Sequence, residues 1–209
     1  MIGMKIERIV VGAFEVNCYL LFGPEGKAVV IDPGDDADAI LNCLEKNQAS
    51  VESYCITHGH TDHLSALSQL STSFPAATYM HPRDASWAFT PSNAMPPYYK
   101  IPGRLQAPVI PLSDGQILSL AGFECRIIAT PGHSAGSVCF HIESAKILFT
   151  GDTLFAGSVG RTDLPGGNEE LLFASLGKLI ALPEETIVLP GHGPRSTIAQ
   201  EKMSNPYLR

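Results

Sequence analysis

The chain of 209 residues is poor in basic side chains, with 14 lysines and arginines against 21 acids and a formal charge of −7. That balance leaves no electrostatic footprint for nucleic acid or for an anionic membrane surface. No run of about 18 apolar residues occurs, so no membrane-spanning helix is expected. The opening Met1-Ile2-Gly3-Met4-Lys5 lacks the charged head and apolar stretch of a secretory leader. Cys18, Cys43, Cys55, Cys125 and Cys139 are odd in number, scattered and without a Cys-x-x-Cys pair. They read as buried, reduced thiols rather than a disulfide framework. Repeats and low-complexity tracts are missing too. A soluble, cytoplasmic protein forming one catalytic domain over residues 1–209 is expected.

What the chain does contain is an ordered series of short apolar runs. Residues 5–10, 16–22 and 28–31 are rich in β-branched side chains and separated by Gly and Pro signals, which predicts a β-meander. Ala37, Ile40, Leu41 and Leu44 fall on one face of a helix capped by Asp35 or Asp36. A strand over 51–57 and a helix carrying Leu64, Leu67 and Leu70 follow, then a strand over 77–80. Residues 90–111 hold six prolines and no steady period, which predicts a loop with the character of a lid. Two hairpins are expected over 116–129 and 137–150. Asn168 should cap a helix that buries Leu171, Leu172, Leu176, Leu179 and Ile180 and stops at Pro183. A last strand at 186–189 and a terminal helix from about Thr197 complete the series. Two sets of strands with helices between and after them imply an α/β protein, an αββα sandwich of two face-to-face sheets with helices outside.

The chemistry is concentrated in Thr57-His58-Gly59-His60-Thr61-Asp62-His63, directly after the strand predicted at 51–57. Imidazole and carboxylate are metal ligands that apolar side chains cannot replace, and they are costly to bury unless something binds them. Further candidates stand at strand ends: His133 after Thr130-Pro131-Gly132, Asp152 after Thr150-Gly151, and His192 within Pro190-Gly191-His192-Gly193. If the strands run side by side, these side chains converge on one edge of the sandwich. The set suffices for two divalent cations: His58, His60 and His133 on the first, Asp62, His63 and His192 on the second, and Asp152 as bridge. With no thiolate in the set, a borderline or harder divalent ion such as zinc, iron or manganese is favoured over Cu(I) or a cluster, and zinc is the first expectation among the three. His81 and His141 read as structural histidines, each explained by one satisfied ring hydrogen bond.

The heptad with the later His133, Asp152 and His192 resembles the metallo-β-lactamase superfamily over residues 32–192. His63 and the bridging-type Asp152 resemble the branch containing glyoxalase II, the hydroxyacylglutathione hydrolases. The best-known antibiotic-hydrolysing members carry arginine and cysteine at those two positions, so β-lactam cleavage is not implied. Residues 155–167 and the ending Asn205-Pro206-Tyr207-Leu208 resemble the short bacterial glyoxalase II type, which has the catalytic domain alone. The resemblance implies a thioester hydrolase that attacks S-lactoylglutathione or a related acylglutathione with metal-bound hydroxide, Asp62 or Asp152 orienting the nucleophile or taking its proton. It places Arg161 where a basic residue contacts substrate, although an ion pair with Asp163 explains that arginine equally well. Asp32 falls at a position that supports the ligand loop by hydrogen bonding. Expected partners are therefore a small thioester substrate, with neither nucleic acid nor membrane. The rival readings are a persulfide dioxygenase with one iron, which shares the heptad and Gly160-Arg161-Thr162-Asp163, a nuclease of the superfamily, and a noncatalytic metal-binding domain.

Overall fold

The computed structural model of the protein describes residues 4–105 and 107–208. The chain opens with the strands β1 (Lys5–Val11), β2 (Val16–Phe22) and β3 (Lys27–Ile31), paired antiparallel as a meander. Helix α1 (Ala37–Lys46) carries the chain to β4 (Ser50–Cys55), and α2 (Leu67–Ser73) carries it to β5 (Ala77–Met80). A single turn, α3 (Pro82–Ala85), opens the proline-rich region, which ends in a short strand β6 (Val109–Pro111). The first sheet has the order β1-β2-β3-β4-β5-β6 and is parallel from β3 onward.

The second sheet is built from β7 (Ile117–Leu120), β8 (Phe123–Ala129), β9 (Val138–Ile142) and β10 (Ile147–Gly151). A small hairpin of β11 (Leu154–Phe155) and β12 (Ser158–Val159) then leads to helix α4 (Glu169–Ile180). Strands β13 (Ile187–Pro190) and β14 (Ser196–Thr197) and helix α5 (Ile198–Ser204) follow. The order is β14-β13-β10-β9-β8-β7, with β10 and β13 parallel and every other pair antiparallel.

Strand alternation distributes the core among the layers. All of β2 is buried: Cys18, Leu20 and Phe22 face α1 and α2, while Tyr19 and Leu21 face the second sheet. Val138, Phe140 and Ile142 of β9 return that contact, so the central core lies between the sheets. The outer face of the second sheet is covered by Leu172, Leu176 and Leu179 of α4 and Ile198 of α5. Burying a side chain the size of Phe140 stabilises the fold by roughly 1.5–3 kcal/mol. The result is the αββα sandwich that the order of elements implies.

Three local expectations need correction. Neither aspartate caps α1 with its side chain: Asp36 adopts φ 50° and its carboxylate accepts from Gly12 N at 2.9 Å, while Asp35 Oδ1 accepts from Asp36 N at 2.8 Å. Leu171 is 43% exposed, because the buried stripe of α4 runs through Leu172, Ser175, Leu176 and Leu179 and leaves the preceding leucine about 100° off its axis. The loop expected over 90–111 contributes β6 to the first sheet. Asn168 does cap α4, its side chain accepting from Leu171 N at 2.9 Å. All five cysteines are free and buried. Among the described residues no helix is long and apolar enough to cross a membrane.

Candidate metal centre

Topology brings the candidate ligands to one edge. Strand β8 is antiparallel to β9 and β9 to β10, so β8, β10 and β13 all run in one direction and end together. His133, Asp152 and His192 follow those three ends. In the first sheet β3 and β4 are parallel, and Asp32 and the heptad follow theirs. Backbone bonds stitch the two edges: Val138 N donates to Thr57 O at 2.8 Å and Asn17 N to Gly191 O at 2.7 Å.

Two glycines permit the close approach. Gly151 has φ +48°, and a Cβ there would stand 2.3 Å from Thr57 Oγ1. At Gly191 a Cβ would meet Asp152 Oδ1 at 2.2 Å and His63 Cε1 at 2.8 Å. Any larger residue at Gly191 would intrude among the candidate ligands themselves.

The candidate ligand atoms gather into three overlapping clusters: His58, His60 and His133; His58, His63 and Asp152; and Asp62, His63 and His192. Within each cluster the donor atoms lie within 4.8 Å of one another. Asp152 touches both ends of the set, with Oδ2 3.6 Å from His133 Nε2 and 3.5 Å from His192 Nε2, and Oδ1 3.4 Å from His63 Nε2. Asp62 Oδ2 stands 3.7 Å from His63 Nε2 and 3.6 Å from His192 Nε2.

The other ring nitrogens fix which atoms are offered. His63 Nδ1 lies 3.0 Å from Asp32 Oδ2, His133 Nδ1 2.8 Å from Arg161 O, and His192 Nδ1 2.8 Å from Phe14 O. Carboxylate and carbonyl oxygens only accept, so each Nδ1 carries a proton and each Nε2 is the ring nitrogen turned inward, free to coordinate once it is deprotonated. Thr57 Oγ1 donates to Asp32 Oδ2 at 2.6 Å and therefore accepts from His58 Nδ1 at 3.1 Å, which turns His58 Nε2 inward as well. His60 presents Nδ1, 2.9 Å from His133 Nε2.

These atoms fit a pair of cations. His58 Nε2, His63 Nε2 and Asp152 Oδ1 are buried and have no hydrogen-bond partner, a costly condition that coordination relieves. Burial, followed by the charges of His63 and His133, lowers the His58 pKa; burial and His133 bring that of His60 down to about 3. Both rings are thus held neutral, the form that binds metal. For His63, burial lowers the pKa, but Asp152, Asp62 and Asp32 together outweigh it and lift the value to about 10. Burial raises Asp62, and the neighbouring His63 and His192 bring it to about 2.

The remaining candidates occupy the surroundings. Asp32 accepts from Thr57 N at 2.8 Å, besides its contacts to Thr57 Oγ1 and His63. Arg161 places its carbonyl under His133, while its guanidinium forms a two-point pair with Asp163 at 2.6 and 2.7 Å, out in solvent. Sequence inspection missed Asp84. Its fully buried carboxylate accepts from Gly59 N at 2.8 Å, Ser134 Oγ at 2.6 Å and Gly136 N at 2.7 Å, tying the heptad to the His133 loop. Asn93 adds a bond to Gly59 O at 2.8 Å. His81 serves α3 instead, its Nδ1 accepting from Arg83 N at 3.2 Å. His141 lies mid-strand opposite Arg126.

With this geometry in view, the family is clear. The family model for the metallo-beta-lactamase superfamily matches residues 11–192, and the chain belongs to that superfamily of metallo-hydrolases. It is 37% identical to the hydroxyacylglutathione hydrolase GloC of Haemophilus influenzae, over 98% of each chain. Among solved structures it is similar to the BLEG-1 B3 metallo-beta-lactamase, with a TM-score of 0.90 and 35% identity over 98% of this chain and 99% of that one. The structure of TTHA1623 in a di-iron-bound form gives a TM-score of 0.87 and 37% identity, over 97% of this chain and 100% of that one.

Proposed function

We propose that the protein is a hydroxyacylglutathione hydrolase-like thioesterase that cleaves S-lactoylglutathione or a related acylglutathione with two divalent metal ions. The observation that carries this reading is Asp152, whose two oxygens lie within reach of His63, His133 and His192 at once. His58, His60 and His133 would hold one ion, Asp62, His63 and His192 the other, and Asp152 would bridge. The kinship with GloC supports the substrate class. Zinc suits the nitrogen and oxygen donors, and the di-iron form of TTHA1623 keeps iron beside it.

When bound, the ions supply Lewis acidity toward a carbonyl oxygen and acidify water near neutral pH. The chain's own residues do the rest. Asp62 or Asp152 would orient the attacking water or take its proton, and Asp62 is ionised throughout the neutral range. Asp32, Phe14 O and Arg161 O hold the imidazoles in the tautomer that offers Nε2 inward. Buried Thr57 and Asp84 keep the heptad from relaxing away from the His133 loop. Thiolate leaves without strong acid assistance, which suits a site whose titratable groups all serve as ligands or their supports.

The test is metal-loaded protein with S-lactoylglutathione, followed by loss of thioester absorbance, with metal content measured on the same sample. Chelator-sensitive turnover with two ions per chain is expected. Turnover of a chromogenic cephalosporin instead would move the substrate toward that of BLEG-1. One iron per chain and oxygen uptake with a persulfide would favour the dioxygenase reading.

A further inference from the structure

Beside His60 a cavity of about 400 Å³ opens between α3, the segment around Met95 and the turn at Leu164 and Pro165. Trp87 forms one wall, its ring centroid 5.5 Å from that of His60, so the cleft is continuous with the metal cluster. Its lining is mostly apolar. With His60 held neutral, the one charged residue of the lining is Arg83, whose guanidinium has no hydrogen bond or ion pair among the described residues. The acid next in sequence, Asp84, is buried and committed to Gly59, Ser134 and Gly136. The cleft thus offers one cation and no carboxylate. The pair Arg161–Asp163, by contrast, is already neutralised internally.

We propose that this cleft receives the acyl arm of the thioester, and that Arg83 selects acyl groups ending in a carboxylate on an apolar chain longer than lactoyl. The inference rests on the thioesterase reading above. A γ-glutamyl thiol arm carries two carboxylates, an ammonium and two peptide groups, most of which a largely apolar cleft with one guanidinium would leave unpaired, whereas an ω-carboxyacyl arm matches both the apolar walls and the single cation. The carbonyl would then lie at the His60 end and the distal carboxylate at Arg83. Arg83 is a specificity-determining residue in this scheme and takes no part in bond cleavage.

The test uses metal-loaded wild type and Arg83→Gln. S-adipoylglutathione and S-hexanoylglutathione differ in one terminal carboxylate. Wild type should favour the adipoyl substrate about 10-fold in kcat/KM, a factor typical of one charge-assisted pair. Arg83→Gln should abolish that preference through KM with kcat unchanged. Trp87 is the single tryptophan, so its emission reports occupancy of the cleft without turnover. Hexanoate should change that emission at lower concentration than hexanol, and Arg83→Gln should remove the difference while leaving hexanol binding intact. Equal use of the two thioesters by wild type, or equal weakening of hexanol and hexanoate in the variant, would overturn the proposal. If no thioester is cleaved yet the hexanoate response keeps its dependence on Arg83, the subsite stands and the thioesterase reading falls.

Discussion

Asp32 Oδ2 accepts the Nδ1 proton of His63 at 3.0 Å, both residues being buried, and the same carboxylate takes the amide and hydroxyl protons of Thr57. One side chain at the end of β3 therefore sets the tautomer of one proposed ligand and, through Thr57, that of His58. Asp32→Asn retains the size of the side chain but loses its all-acceptor character. Metal affinity should fall about 10–100-fold, the range for groups that orient a ligand. Equilibrium dialysis against a metal buffer checks this, and unchanged affinity would separate Asp32 from the site.

The pH dependence of the metal-free protein follows from two opposite shifts. His63 is raised to about 10, so its contribution to stability is complete below the ordinary imidazole value of about 6.5 and is lost as pH rises through 10. His60 is lowered to about 3, so its contribution is complete above 6.5 and is lost as pH falls toward 3. Chelator-treated protein should therefore show its highest Tm near pH 6.5, with a decline on both sides. Metal uptake at pH 7.5 should release protons, from His63 Nε2 first and with a further share from His192, whose pKa, lowered by burial, is raised overall by the neighbouring Asp62 and Asp152, visible by calorimetry in two buffers of different ionisation enthalpy. A Tm that is flat from pH 4 to 10 would contradict both assignments.

The convergence of the candidate ligands was legible in the sequence because they sit at strand ends or in one loop, where residue type and position carry the signal. The heptad needs no tertiary contact to be noticed. His133, Asp152 and His192 needed only the expectation that β8, β10 and β13 end together. The supports were less visible. Phe14 and Arg161 act through backbone carbonyls, which every residue has, so no side-chain pattern could reveal them. Asp84 lies between Arg83 and Ala85 in a single helical turn, and an acid there looks like any solvated one until the fold buries it. Leu171 was misassigned because two adjacent leucines leave the phase of α4 undetermined, and only its docking on the second sheet chooses between them.

Asp152→Ala should remove the contact shared by the two halves of the site. Bound metal should drop from two ions per chain to one or fewer, and turnover should fall by more than about 100-fold, beyond the usual effect of a supporting residue. Metal analysis alongside steady-state kinetics measures both. A variant with two ions and full activity would exclude a bridging role.

Asp84→Ala leaves the amides of Gly59 and Gly136 without their acceptor in the interior, while the hydroxyl of Ser134 can turn to Ser137 Oγ at 2.7 Å. Each unsatisfied buried group costs about 1–3 kcal/mol, so a loss of several kcal/mol is expected in denaturant unfolding. Because the residue touches loops rather than ligands, the loss should appear in stability before it appears in kcat. Wild-type stability would mean that water replaces the carboxylate.

Gly191→Ala separates crowding from chemistry, since it adds one methyl and removes no polar group. That methyl would stand 2.2 Å from Asp152 Oδ1 and 2.8 Å from His63 Cε1, so one or both side chains must shift. The backbone nearby is held by Asn17 N to Gly191 O at 2.7 Å and Gly191 N to Gly151 O at 2.8 Å, which limits how far the loop can yield instead. The displacement should therefore fall on the ligands. Metal affinity and turnover should both decline about 10-fold or more, while Tm falls by about 2–12 °C, because overpacking at one buried contact costs roughly 1–3 kcal/mol. Activity at the wild-type level would show that the His192 loop moves as a unit, and would weaken the case that Asp152 is held in place by its neighbours.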